Sequence, residues 1–195
     1  MRVFVALDIE QEIRSRILRF MEGVNSFAPE ARWVRAESLH ITLKFIGEKP
    51  SDVVEQIKKS LSAVQAQSFQ IEFHGYGFFP NSKSARVLWV GIEAGPQLAQ
   101  LAKSVDGALS DLGIAGEEHP YTPHLTLARG LGRSGSPRRE KRDGPNRCFH
   151  KLQEKLSALS QPEFGTMTAH EFFLYESHLG KGGSRYDKLE RFSLG

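Results

Sequence analysis

The sequence predicts an α+β protein made of two related halves that share one groove. A His-apolar-Thr-apolar segment occurs twice, at His40–Leu43 and at His124–Leu127, so the two histidines stand 84 residues apart. The order strand, helix, His-x-Thr strand recurs at the same spacing, over about residues 2–47 and again over 86–131. The length suits one domain or two small lobes with a common core. We therefore expect an internal repeat with pseudo-two-fold symmetry inside a single bilobal domain over residues 1–195.

Local sequence patterns predict the elements of both halves in order. Alternating apolar residues indicate strands, apolar residues three and four apart indicate helices, and Gly or Pro marks their ends. The connection at 75–82 is aromatic and rich in turn-forming residues, so it is predicted to be irregular. The predicted strands are 2–8, 32–34, 38–46, 69–73, 86–93, one that begins at about His124, 171–177 and 185–193, and the predicted helices are 10–27, one that opens at 50–52, 96–113 and 147–159.

Composition is that of an ordinary soluble globular protein. Hydrophobic residues make up 39% of the chain and charged residues 25%, and 13 Phe supply a core that needs no disulfide or metal. The one cysteine, Cys148, cannot form an internal disulfide, so a cytoplasmic protein is expected. Apolar runs stay well short of the ~18 residues of a membrane span, and the N-terminus lacks the layout of a signal peptide. No membrane partner is expected.

Positive charge is concentrated in one segment. The net charge is only +3, yet between Arg129 and Lys151 eight basic residues face two acidic ones. Gly and Pro recur through this part of the chain, so a flexible basic loop is predicted over about 130–147. Such a loop favours a polyanionic partner, and the alternative is a solvated loop that binds nothing.

The two His-x-Thr segments carry groups suited to acid–base chemistry. Alternate side chains of a strand share a face, so His40 and Thr42 would face one way, as would His124 and Thr126. With a reference pKa of ~6.5, one imidazole can accept a proton while the other donates one. Each threonine hydroxyl can donate a hydrogen bond to a phosphate oxygen, although threonine is also simply a good strand former. In-line displacement at a phosphodiester needs a base and an acid on opposite flanks of phosphorus, which this arrangement would supply.

Three further residues are candidates for substrate binding. Arg129 can pair with phosphate oxygens, but it follows His124 by five residues, so only a bend or the strand's end would turn it into the groove. Phe45, at the end of the first His-x-Thr strand, is a candidate for stacking on a base if the strand bends there, with a core position as the alternative. Phe79, in the aromatic connection, is a second candidate for stacking on a base. No spacing typical of a metal, nucleotide or dinucleotide site occurs, so no metal and no cofactor are expected.

Beyond these motifs, the sequence resembles one family along nearly its whole length. The segments His40–Gly47 and His124–Arg129 are similar to the paired motifs of the 2H phosphoesterase superfamily, and in particular of its RNA 2′,3′-cyclic phosphodiesterases, also called 2′-5′ RNA ligases. Further similarity lies at Arg2–Ala6, at 32–34, at 86–91 and at 172–177. The resemblance implies a bilobal α+β fold with antiparallel sheets around a central groove.

The resemblance also implies an activity and a role for each motif residue. The activity is opening of a terminal 2′,3′-cyclic phosphate of RNA to a 2′-phosphomonoester without metal or ATP, with 2′-5′ ligation as the reverse reaction. By motif position, His40 would donate the proton to the leaving 3′ oxygen and His124 would accept the proton of the attacking water. Thr42 and Thr126 would hold the phosphate oxygens. The substrate would be an RNA or oligonucleotide with a cyclic phosphate end, and the chain is expected to act as a monomer.

Two alternatives remain at this stage. A phosphodiesterase of the same superfamily would cleave 2′-5′ oligonucleotides or RNA 3′ ends with the same residues. A non-catalytic RNA-binding module would instead use the basic loop and leave both histidines without a chemical role. The residues themselves also leave open which histidine is the acid and which is the base.

Overall fold

Nine strands and four helices make up the computed structural model, which describes residues 1–130, 147–180 and 183–195. Nearly all of the predicted basic loop, 131–146, lies outside the described residues. The strands are β1 (Arg2–Asp8), β2 (Arg32–Trp33), β3 (His40–Glu48), β4 (Phe69–Phe79), β5 (Val87–Glu93), β6 (His124–Arg129), β7 (Glu163–Ala169), β8 (Glu171–Gly180) and β9 (Gly183–Ser193). The helices are α1 (Gln11–Val24), α2 (Ser51–Ser62), α3 (Gly95–Ser110) and α4 (His150–Ser157).

The strands form two antiparallel sheets, as the predicted fold class requires. The first sheet has the order β3-β1-β8-β9 and the second has the order β2-β6-β5-β4-β7. The two His-x-Thr strands, β3 and β6, lie in different sheets and contact each other. The second half repeats the order of the first. Helix α3 begins 84 residues after α1, and strand β6 begins 84 residues after β3. The α+β architecture with two related sheets is therefore confirmed.

Each half places its main helix on the sheet of the other half. The apolar stripe of α1 buries Ile13, Ile17 and Met21, and this helix packs on β7 of the second sheet. The stripe of α3 is likewise buried, and α3 packs on β3 of the first sheet. One continuous hydrophobic core results, with members from both sheets and from all four helices. In the described part of the chain, no helix has the length and apolar character that crossing a membrane would require.

Two predictions about the strands are wrong. Residues 75–79 are strand rather than irregular connection, because Gly75 takes a positive φ of 66° and absorbs a register shift between His74 and Tyr76, after which β4 continues beside β5. The edge strand β7 was not predicted at all. Its alternation is weak because Gly165, at a φ of 107°, accompanies a second register shift where β7 meets β4.

Candidate active site

A groove of about 620 Å³ lies between the two sheets, and both His-x-Thr strands contribute to it. The described residues that line it include Arg and His but no Asp or Glu, which suits an anionic ligand. They are Arg2, Val3, Phe4, Val34, Ser38, His40, Thr42, Phe45, Gly47, Val87, His124, Thr126, Arg129, Ser177, Leu179, Ser184 and Tyr186. The structure thus brings together six of the seven predicted site residues and leaves Phe79 outside the lining.

The two histidines are held in the same tautomer by equivalent hydrogen bonds. The Nδ1 atom of His40 lies 2.7 Å from the carbonyl oxygen of Ser38, and that of His124 lies 2.8 Å from the carbonyl oxygen of Thr122. A carbonyl oxygen only accepts, so Nδ1 carries the proton in both rings. In the neutral imidazoles Nε2 is therefore the nitrogen that remains available to a ligand as a proton acceptor.

Aromatic rings fix the planes of both imidazoles. The ring of Phe4 lies 4.9 Å from that of His40, and Tyr186 contacts His40 edge-on at 5.1 Å. Phe79 meets His124 edge-on at 4.9 Å and also packs on Trp89 at 5.1 Å. Phe79 therefore contacts a predicted catalytic residue and does not line the groove, which differs from the base-stacking position that its sequence context suggests.

A β-bulge in each His-x-Thr strand explains how Arg129 and Phe45 reach the groove. Opposite β1 the register shifts after Thr42, and opposite β5 it shifts after Thr126. In each strand the two residues that follow the threonine are both buried, so the next residue returns to the face of the His and Thr. A residue five positions after the histidine would point away from it on a regular strand, and the extra residue of the bulge reverses that direction. Arg129 and Phe45 therefore lie at equivalent places in the two halves of the groove.

Burial lowers the pKa of both imidazoles. For His40 the pKa falls to about 4, chiefly because the ring is removed from water; the hydrogen bond to Ser38 and the charge of Asp8 raise the pKa, while Arg129 and His124 lower it. Burial also lowers the pKa of His124, as does Arg129, against the hydrogen bond to Thr122. Both rings are therefore neutral near pH 7 in the free protein.

Three differences break the symmetry of the groove. The position five residues after the histidine holds an aromatic ring in one half, Phe45, and a guanidinium in the other, Arg129. Asp8 lies opposite His40 across the strand pair, whereas Gly91 lies opposite His124. In addition, among the described residues, the aromatic side chains of the β8–β9 hairpin contact His40, Tyr186 at 5.1 Å and Tyr175 at 6.3 Å, and not His124. The two imidazoles thus differ in their surroundings although their hydrogen bonds match.

The second motif is also tied to the first through a tyrosine. The hydroxyl of Tyr121 donates a hydrogen bond to the carbonyl oxygen of Thr42 at 2.9 Å. Burial raises the pKa of Tyr121, so its hydroxyl stays protonated and keeps its donor role. This contact fixes the segment before His124 against the strand that carries His40.

Sequence patterns do not single out Phe4, Ser38 or Tyr186, which belong to the site through contacts between distant segments. The alternation along their strands predicts the face on which Phe4 and Tyr186 lie, but it does not predict which residues of other segments that face contacts.

The described part of the chain shows no cluster of metal ligands. No group of three His, Cys, Asp or Glu side chains that could hold an ion occurs in 1–130, 147–180 and 183–195.

Comparison with known proteins places this chain in a family. The model of the 2′-5′ RNA ligase superfamily matches residues 9–178. A protein of Archaeoglobus fulgidus named RNA 2′,3′-cyclic phosphodiesterase is 34% identical over 98% of this chain and 99% of its own length. A protein of Escherichia coli with the same name is 28% identical over 99% of this chain and 96% of its own length.

Solved structures agree with the sequence relatives. Escherichia coli LigT, crystallised in complex with 3′-AMP, superimposes with a TM-score of 0.75 at 27% identity, and the match covers 99% of this chain and 97% of that one. The fold is thus shared along nearly the full length of both proteins. With the two His-x-Thr strands facing one groove, the chain belongs to the 2′-5′ RNA ligase superfamily, which confirms the predicted family.

Proposed function

We propose that this protein hydrolyses the 2′,3′-cyclic phosphate at the end of an RNA to a 2′-phosphomonoester, without a metal ion. The observation that carries the proposal is the pair of imidazoles, held in one tautomer on two facing sheets of a groove without acidic lining among its described residues. The names of the relatives from Archaeoglobus fulgidus and Escherichia coli support the same reaction. The reverse reaction, 2′-5′ joining of RNA, would use the same groups.

In the proposed reaction one imidazole accepts a proton and the other donates one. Nε2 of His124 takes a proton from water as the water oxygen bonds to phosphorus, the bond from phosphorus to O3′ breaks, and protonated His40 gives its proton to O3′. The hydroxyls of Thr42 and Thr126 donate hydrogen bonds to the non-bridging oxygens, and Arg129 pairs with their charge. The anionic substrate raises the pKa of His40 on binding, so His40 takes up from the solvent the proton that it lacks in the free protein near pH 7 and later gives to O3′.

The asymmetry of the groove supports His40 as the acid. In an in-line displacement the nucleoside lies on the side of the leaving oxygen, and water attacks from the other side. Phe45, on the strand of His40, exposes 68% of its surface and offers a face on which a base can stack. The charge of Asp8 also raises the pKa of His40. Asp8 lies opposite His40 in the strand pair, whereas Gly91 takes that place opposite His124. Water and His124 then occupy the side of the second sheet.

The direct test is to incubate the protein with an RNA that ends in a 2′,3′-cyclic phosphate, in EDTA, and to identify the product by phosphorus NMR. A 2′-phosphomonoester is expected. His40→Ala and His124→Ala should each lower the rate by at least ~10²-fold, because each removes one proton transfer. His170→Ala is the matched control, since His170 is exposed and does not line the groove. Full turnover in either catalytic variant would falsify the two-histidine mechanism.

The same material separates the alternatives. Cleavage of 2′-5′-linked oligonucleotides with an intact cyclic phosphate would assign the other phosphodiesterase activity. Binding of RNA without turnover, unaffected by either histidine variant, would indicate an RNA-binding module. Loss of all turnover in EDTA, restored by a divalent cation, would replace the metal-free mechanism by a metal-dependent one.

Replacing Phe45 tests the orientation of the substrate. Stacking of a base on an aromatic ring is worth about 1–3 kcal/mol, so Phe45→Ala should raise KM about 5- to 150-fold. The value of kcat should change little, because the base is held alike in the ground and transition states. Leu159→Ala removes another exposed apolar side chain away from the groove and serves as the control. An unchanged KM in Phe45→Ala would place the base elsewhere.

A further inference from the structure

The guanidinium of Arg14 joins the end of β1 to the turn that precedes β3. Arg14 lies near the start of α1, and its side chain is only 12% exposed. One terminal nitrogen donates hydrogen bonds to Oδ1 of Asp8 at 2.5 Å and to the carbonyl oxygen of Ile9 at 3.2 Å. The other terminal nitrogen donates to the carbonyl oxygen of Ala36 and, at 3.5 Å, to that of Leu39. The fork of donors thus binds two segments that are distant in sequence.

The turn that Arg14 holds also fixes the ring of His40. This turn, Ala36–Ser38, is a single 3₁₀ turn directly before β3. The carbonyl oxygen of Ser38 lies in the chain between the two carbonyls of the turn region that Arg14 binds, and it accepts the hydrogen bond from Nδ1 of His40 at 2.7 Å. The hydroxyl of Ser38 ties the same turn to Ser184 of β9 at 3.2 Å. A shift of this turn would therefore change the direction in which His40 presents Nε2.

The corresponding position of the second half holds an apolar residue. Leu98 of α3 stands 84 residues after Arg14 and is fully buried in the core. His124 nevertheless makes its own hydrogen bond to the carbonyl oxygen of Thr122 at 2.8 Å. The two halves therefore share the contact to the imidazole and differ in what supports it. An effect of Arg14 should be confined to His40, which makes His124 an internal reference.

We propose that Arg14 is a positioning residue of the proton donor, which holds the turn before β3 so that Nδ1 of His40 stays bonded to Ser38 and Nε2 is directed into the groove. This inference rests on the proposed function. His40 takes up and releases its proton at Nε2, so Nδ1 must keep its own proton throughout. The direction of Nε2 matters most as the proton reaches O3′ in the transition state, while the groups that bind the phosphate are unchanged. Loss of the guanidinium should therefore lower kcat and leave KM nearly unchanged.

The first test measures the tautomer of His40 and needs no turnover. In a protein with isotope-labelled histidine, nitrogen NMR separates the protonated from the unprotonated nitrogen of each ring at a pH where both rings are neutral. Arg14→Lys keeps a positive charge beside Asp8 but replaces the planar fork by one ammonium group. The two nitrogen resonances of His40 should then move towards each other, because part of the population carries its proton on Nε2. Those of His124 should not move.

The second test measures hydrolysis of adenosine 2′,3′-cyclic phosphate. In Arg14→Lys we expect kcat to fall about 10- to 100-fold, because a small misplacement of a reacting group is costly, and KM to change less than about twofold. Arg14→Met removes the charge as well and should show a similar loss in kcat. Arg16→Met is the matched control: Arg16 lies on the same helix but donates to the carbonyl oxygen of Phe164 in β7 at 3.3 Å. Neither the tautomer of His40 nor turnover should change in this control.

Each other outcome overturns the inference. An unchanged tautomer of His40 in Arg14→Lys would show that the turn keeps its place without the fork. Equal changes in His40 and His124, or the same change in Arg16→Met, would indicate a general loosening of the fold. An altered tautomer with full turnover would show that the reaction does not depend on how His40 is held.

The two measurements keep the proposed function separate from this inference. A wild-type protein that fails to open the cyclic phosphate disproves the proposed function. The nitrogen spectra then decide by themselves whether Arg14 fixes the ring of His40, since they report the free protein. A change confined to His40 supports that role, and no change overturns it.

Discussion

At the residue scale, the two histidines are alike in geometry and unlike in environment. Each Nδ1 donates to the carbonyl oxygen two residues earlier, so neither ring can present the wrong nitrogen to a ligand. Burial nevertheless lowers both pKa values, so both imidazoles are neutral in the free protein near neutral pH. Protonation and substrate binding are therefore coupled, since an anion in the groove favours the charged imidazole.

This coupling predicts different pH profiles for kcat/KM and kcat. In the proposed mechanism the productive state has His40 protonated and His124 neutral. In the free protein the pKa of His40 is about 4 and that of His124 is also lowered from 6.5. Raising the pH above these values removes the one required proton, so kcat/KM, which reports the free enzyme, should already fall as pH rises through 7. The decline of kcat, which reports the enzyme–substrate complex, should occur at higher pH, because the bound anion raises the pKa of His40.

Steady-state rates from pH 5 to pH 9 on a cyclic mononucleotide provide the measurement. A kcat/KM that stays level up to pH 8 would show that His40 holds its proton in the free protein. Asp8→Asn adds a check, because removing the charge opposite His40 should move the decline of kcat/KM to lower pH.

The motif residues of the site could be predicted because His and Thr alternate within single strands. The remaining lining residues could not, since they come from segments that only the folded chain brings together. Tyr186, for example, lies 146 residues beyond His40 and on the opposite edge of the sheet order. Strand alternation defines its face but not which side chain that face meets.

At the element scale, the irregular positions of the strands shape the groove. Sequence alternation alone turns Arg129 and Phe45 away from their histidines, and a bulge at the same place in β3 and β6 reverses this. A bulge depends on how two strands pair, so the local sequence pattern of one strand does not predict it. The same reason accounts for β4, which continues through Gly75 where the sequence suggested a loop.

Gly77 of β4 gives a prediction about packing behind the site. Trp89 lies across the place where a Cβ at position 77 would stand, and Trp89 packs on Phe79, which contacts His124. Gly77→Ala should therefore lower the free energy of unfolding by about 1–3 kcal/mol, because the inserted methyl overpacks this site. The displaced rings should also lower the rate of cyclic phosphate opening.

Gly107→Ala is the matched control for urea unfolding. Gly107 lies inside α3 with open space where an added Cβ would stand, and alanine should raise the free energy of unfolding by about 0.5–1 kcal/mol. Equal stabilities of the two variants would show that Trp89 moves aside without cost.

At the scale of the whole molecule, an ion pair joins the halves behind the groove. Lys44 of β3 pairs with Asp106 of α3 and donates to the carbonyl oxygen of Ala115 at 2.8 Å. The side chain of Lys44 is only 5% exposed, while that of Asp106 is 30% exposed. This pair fixes the helix of the second half to the strand that carries His40.

Removal of each partner should have unequal effects on stability. Asp106→Ala leaves the ammonium of Lys44 buried without its carboxylate and should lower the free energy of unfolding by about 1–3 kcal/mol. Lys44→Met replaces the buried charge by an apolar chain of similar length and should cost less. Urea unfolding of the two variants measures the difference, and a larger loss in Lys44→Met would contradict this account.

The exchange of helices between the halves bears on motion. Separating the sheets would expose the buried stripes of α1 and α3 together, so the walls of the groove cannot swing apart like a hinge while the core stays intact. In the proposed reaction, acid and base would therefore be set at their separation when the chain folds, and substrate binding would change their protonation without moving the strands that carry them. For the proposed reaction, a substrate that is too wide would meet a rigid wall, so selection among phosphodiesters should act through shape before any chemistry begins.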